Sequence, residues 1–162
     1  MNDDKLTRLD RMRYTKNTLA SGLALLAILF DVFFFISIYE SNVGSWYYNI
    51  LMGASILYNL IFLLAAFLCS EGIKNYKISY AYVMIVLGII QLVRIFIYPV
   101  TAHNSTVIIQ EQAVTVMETP QFIRCIIYLA GSAACLIVAA AINQRKAAAL
   151  KKHIGATGKE AA

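Results

Sequence analysis

The sequence predicts an all-α integral membrane protein: an up-down four-helix transmembrane bundle with its N- and C-termini both cytoplasmic. Three observations carry this reading. Of the 162 residues, 60% are hydrophobic and only 14% charged, against about 45–50% and about 25% in soluble domains. Apolar runs occur at residues 19–39, 46–69, 78–98 and 121–142, each matching the ~20 residues a helix needs to cross a ~30 Å hydrocarbon layer. Apart from Arg94 and Arg124, the basic residues alternate along the chain: five before the first run, none in the next connector, then Lys74 and Lys77, none in 99–120, and five in the tail. By the positive-inside rule this pattern places both termini and the middle connector on the cytoplasmic side, most simply of a plasma (bacterial inner) membrane.

Residues 1–18 begin with Asp3 and Asp4, turn basic at Lys5, Arg8, Arg11, Arg13 and Lys16, and space Leu6, Leu9 and Met12 three apart. This fits a short amphipathic helix lying on acidic lipid headgroups, its early acids complementing the helix dipole; a solvated tail that only sets orientation is the plain alternative. The first apolar run exceeds the ~7–15 residues of a signal-peptide core and lacks a clean small-x-small site after it, so it reads as an uncleaved helix. Tyr39, Trp46, Tyr47, Tyr48 and Tyr98 mark the outer boundary, and Tyr76, Tyr80 and Tyr82 the inner one. In the outer connector 99–120, TVII and AVTV flank QEQ, which suggests a small hairpin or a surface-lying segment. His103 has no second metal ligand at useful spacing and reads as a surface residue. Asn104-Ser105-Thr106 matches a glycosylation acceptor, relevant only in a eukaryotic secretory pathway. In the tail 143–162, NQRKAAALKKH continues the fourth helix with strong helix formers until Gly155 and Gly158 end it. Its basic residues suit acidic lipid or a soluble partner. Residues 19–142 form the single transmembrane domain.

The net charge of +5 follows this topology, so it argues for no nucleic-acid partner. Cys69, Cys125 and Cys135 fall at depths ~10 Å or more apart and act as small packing residues, not as disulfide partners. No nucleotide, metal or nucleophile motif appears, so neither an enzyme nor a cofactor is expected. No matching polar positions relate the two helix pairs, which leaves an inverted-repeat transporter without support.

Attention therefore falls on the polar groups inside the apolar runs. Asp31 stands among phenylalanines, eight residues before Tyr39, or ~12 Å below the outer boundary. Arg94 is four residues before Tyr98, ~6 Å below it. Both runs point outward, so an arginine side chain spans the offset, and Arg94 is the expected partner of Asp31. Gln91, Arg94 and Tyr98 follow i, i+3, i+7 spacing and share a helix face. Asn59 lies near the bilayer centre and Asn49 near the outer edge; with Asp31, Gln91 and Arg94, Asn59 completes an expected intramembrane polar cluster. Arg124 matches Arg94 in depth and is the secondary candidate, though it can snorkel to the headgroups. Gly131, Cys135 and Ala139 form a small-xxx-small ridge on the fourth run, and Ser21, Gly22 and Ala24 a similar surface on the first, for packing within the bundle or against a homo- or hetero-oligomeric partner.

Charge inside a bilayer costs at least ~2.5–3.5 kcal/mol per residue, so such a cluster needs a reason. It can be a staple that fixes helix pairing, an ion or proton site, or a receptor for a partner's charge. The expected function is a non-enzymatic accessory or scaffold subunit of a larger membrane complex. A small cation- or proton-coupled transporter using Asp31 and Arg94 is the alternative.

Overall fold

The computed structural model describes residues 7, 11, 15–38, 46–109 and 112–160. Helices stand on the four apolar runs: α1 (Thr18–Ile38), α2 (Trp46–Lys74), α3 (Ile78–Ile97) and α5 (Thr119–Glu160). Between α3 and α5 come a short helix α4 (Pro99–His103) and strands β1 (Thr106–Ile109) and β2 (Gln112–Thr115). All four long helices are long and apolar enough to cross a membrane. Most of the N-terminal segment, including Asp3, Asp4, Leu6, Leu9 and Met12, lies outside the described residues, as do Tyr39 and the side chains of Trp46, Tyr47, Tyr48 and Asn49.

Chain breaks follow local chemistry. Pro99 occupies the first turn of α4, where a missing N–H is harmless, and it disfavours continued helix at Tyr98. Pro120 serves the same role at the start of α5. The connector between α3 and α5 carries a hairpin: β1 and β2 are antiparallel, with Thr106 opposite Thr115 and Ile109 opposite Gln112. Two boundaries differ from the sequence expectation. Helix α2 continues past Cys69 to Lys74, and α5 passes through both Gly155 and Gly158 to Glu160. A single glycine costs a helix only ~1 kcal/mol relative to alanine, too little to stop one rich in alanine, lysine and leucine.

Cross-helix contacts fix the directions. Asn17, just before α1, donates its backbone N–H to the carbonyl of Lys74 at the end of α2, 3.0 Å away. The Asn143 side chain donates to the Lys77 carbonyl ahead of α3, 3.1 Å away. At the opposite end, Gln121 near the start of α5 donates to the carbonyl of Ser37 near the end of α1. Successive long helices therefore run antiparallel. Around the bundle α5 packs along both α1 and α3, α2 packs on α1 and more sparsely on α3, and α1 faces α3 across a diagonal.

Small side chains set the close packing. On α1 the buried stripe is Ala20, Ala24, Ala27, Asp31, Phe34 and Ile38, while Leu25, Leu26 and Leu29 are exposed. On α3 it is Ala81, Met84, Gly88, Gln91 and Arg94. In a hydrocarbon solvent large apolar groups gain little by facing inward, whereas small ones let backbones approach. A Cβ at Gly131 would stand 3.3 Å from the Phe30 ring, and one at Gly88 would stand 3.0 Å from Ile137 Cγ1. Thus Gly131 packs on α1 and Ala139 is fully buried, while Cys135 is partly buried. Gly22 departs from the expected surface: it is exposed with nothing near its would-be Cβ, and Ser21 and Ala24 alone of that trio face the core.

Candidate functional site

The α1 and α3 stripes each end an alanine- and methionine-lined stretch with a polar step, and these steps meet across the diagonal. Asp31 is fully buried. Its Oδ1 accepts from Gln91 Nε2 at 2.8 Å and from Arg94 Nη1 at 3.3 Å. Because α1 and α3 are diagonal, the gap is closed by long side chains rather than by backbones, and Gln91 and Arg94 reach it together because i and i+3 share a face. Arg94 Nη1 also donates to Gln91 Oε1 at 3.4 Å, tying the two α3 side chains to each other.

Helix α2 supplies the remainder of the arginine's environment. Arg94 Nη2 donates to Ser55 Oγ at 2.5 Å and to the Ser55 carbonyl at 3.4 Å. Its guanidinium carbon lies 4.5 Å from the ring centroids of both Phe34 and Tyr58, where aromatic faces attract a cation. Three helices are thus joined through one guanidinium, whose planar fork of donors serves several acceptors at once in a way a lysine ammonium does not. Opposite charges at this distance in a buried site also avoid the cost of either ion alone.

The other candidates divide. Asn59 is buried at 1% exposure, yet neither its Oδ1 nor its Nδ2 has a hydrogen-bond partner among the described residues, and it does not join the network. Asp31 Oδ2 and the Tyr58 hydroxyl share this condition. Asp31 and Asn59 both line a small cavity of about 40 Å³ between α1 and α2, with Val32, Phe35, Leu60 and Leu63. Arg124 is exposed on α5 and is no part of the Asp31 network. His103 is partly buried: its Nδ1 lies 3.1 Å from the Met117 carbonyl and its ring stacks on Phe122 at 4.5 Å, seating the hairpin end on α5.

Ser55, Phe34 and Tyr58 were not among the sequence candidates. The available signal was spacing: Ser55 precedes Asn59 by four residues, so both occupy the face of α2 that meets the polar step.

Apolar layers bound the site on both sides. Toward the hairpin lie Phe34, Ile38, Tyr98, Ala102, Val116, Met117, Cys125 and Leu129. Toward the chain termini lie Ala20, Ala24, Ala27, Phe62, Ala66, Met84, Leu136 and Ala139, among others. On the terminal side, uncharged polar side chains link Asn17 Nδ2 to Asn143 Oδ1 at 3.2 Å and Ser21 Oγ to Ser70 Oγ at 2.7 Å, with Lys146 donating to Asn17 Oδ1 at 3.0 Å at the edge of this tier. Among the described residues no group of histidine, cysteine, aspartate or glutamate side chains is placed to hold a metal ion. Comparison with protein-family models, curated proteins and solved structures finds no match for the chain.

Proposed function

We propose that the protein is a non-enzymatic accessory or scaffold subunit of a larger membrane complex, with both termini cytoplasmic in a plasma membrane of the bacterial inner type. One observation carries this reading: Asp31 and Arg94 neutralise each other between two clusters of buried apolar side chains, an arrangement suited to stiffening a bundle. The charged step then serves as a staple, fixing α1, α2 and α3 in register. The orientation rests on the basic residues at the terminal end. There α5 runs on past Asn143 to Glu160, extending roughly 25 Å at 1.5 Å per residue. Arg145, Lys146, Lys151 and Lys152 lie on this extension, and it suits acidic lipid or a partner's acidic surface.

A small cation- or proton-coupled transporter is the second reading, favoured by the carboxylate oxygen of Asp31 that has no partner. Purification of the full chain in mild detergent separates the two. The subunit reading expects a stoichiometric larger complex that Asp31→Asn and Arg94→Ala both loosen. A protein that purifies alone, and whose pH-dependent flux in liposomes is abolished by Asp31→Asn with folding intact, would sink it in favour of the carrier.

A further inference from the structure

The seam between α1 and α2 holds a feature that the staple leaves unused. Asp31 presents two oxygens: Oδ1 takes both of the described bonds from α3, and Oδ2 takes none. Asn59 brings an acceptor and a donor to the same seam, again with no hydrogen-bond partner among the described residues. Both residues are at most 1% exposed, and both line the cavity of about 40 Å³. Polar atoms in such a place are matched in folded proteins by protein groups or by ordered water.

We propose that this seam is a binding site for water, with at least one molecule bridging Asp31 Oδ2 and the Asn59 carboxamide. Size, charge and bonding choose the ligand. A cavity needs roughly 10–15 Å³ of probe-occupied space to hold one water, and this one exceeds that. The charge of Asp31 is already balanced by Arg94 at 3.3 Å, so a cation would add an uncompensated charge near a buried guanidinium. A cation also offers nothing to the Asn59 amide hydrogens. Water both donates, to Asp31 Oδ2 and Asn59 Oδ1, and accepts, from Asn59 Nδ2. The bridge attaches α2 to Asp31 through the oxygen that the α3 contacts leave unused, so the carboxylate is held from two helices.

The test uses the full chain in lipid bilayers. Water-to-protein transfer in solid-state NMR of the ¹⁵N-labelled protein should give a cross peak at the Asn59 side-chain amide, with exposed Asn104 as the positive control. Transfer to Asn104 with none to Asn59 would overturn the proposal. Substitution gives an independent sign. Asn59→Leu should lower the melting temperature in detergent, because it removes the bridge; a rise would mean that the leucine had merely filled a dry seam and removed two idle polar atoms. Titration with NaCl and KCl against choline chloride at equal ionic strength should give no difference in melting temperature. A saturable rise specific to Na⁺ or K⁺ would replace water with a cation as the ligand.

Discussion

Near the hairpin end, α1 and α3 are joined across the diagonal by a carboxylate, a guanidinium and a carboxamide. Near the chain termini, adjacent helices are joined by asparagine and serine side chains that carry no charge. Both tiers are buried and both cross between helices, but they fail differently. A neutral group that loses its partner leaves one hydrogen bond unmade, whereas Asp31 without Arg94 leaves a buried ion. The charged tier is therefore the less forgiving of the two. It is also the one that excludes other helix pairings most strongly, since any register that separates the charges strands both of them.

The largest expected effect tests that asymmetry. Arg94→Ala should destabilise the detergent-solubilised protein by about 3–5 kcal/mol, read from reversible unfolding or the fall in melting temperature. Asp31→Leu combined with Arg94→Met should recover most of that loss, because an apolar pair of similar bulk strands no charge; a double variant as unstable as Arg94→Ala would end the distinction between the tiers. Next comes the apolar layer between them. Gly88→Ala places a Cβ 3.0 Å from Ile137 and 3.3 Å from the Ala133 carbonyl, and overpacking of this kind costs about 1–3 kcal/mol in the same assay. In the neutral tier, Ser21→Ala should cost only about 0.6 kcal/mol, and a double-mutant cycle with Ser70→Ala should return a coupling of that size. A coupling as large as the Asp31–Arg94 one would erase the contrast. The smallest effect belongs to Gly22→Ala, which meets open space and should stay within about 0.5 kcal/mol of the parent.

Much of the fold was legible in the sequence because length and hydropathy determine where a helix can span. The four helices, the pairing of β1 with β2 and the meeting of Asp31 with Arg94 and Gln91 follow from run length, β-branched patches and depth along two helices that run the same way. Helix order around the bundle was not legible. Every face of α1 is apolar, so periodicity does not separate the buried Ala20, Ala24 and Ala27 from the exposed Leu25, Leu26 and Leu29. For the same reason the diagonal relation of α1 and α3 was hidden, and with it the role of Ser55. The terminal tier was missed differently: Asn17 precedes the first apolar run and Asn143 follows the fourth, where polar residues need no special explanation, and only the three-dimensional packing brings together residues 126 positions apart. Asn59 shows the converse, a residue expected in the network by depth that stands beside Asp31 without bonding to it.

The pairing of Asp31 with Arg94 also imposes a timetable. The two residues are 63 positions apart in the chain, which at ~5–20 residues per second is roughly 3–13 s of synthesis. During that interval the first helix exists with its carboxylate and without its counter-ion, while α2 brings Asn59 and Ser55 alongside first. The carboxylate of the first helix thus stays without its counter-ion until the third helix has been made.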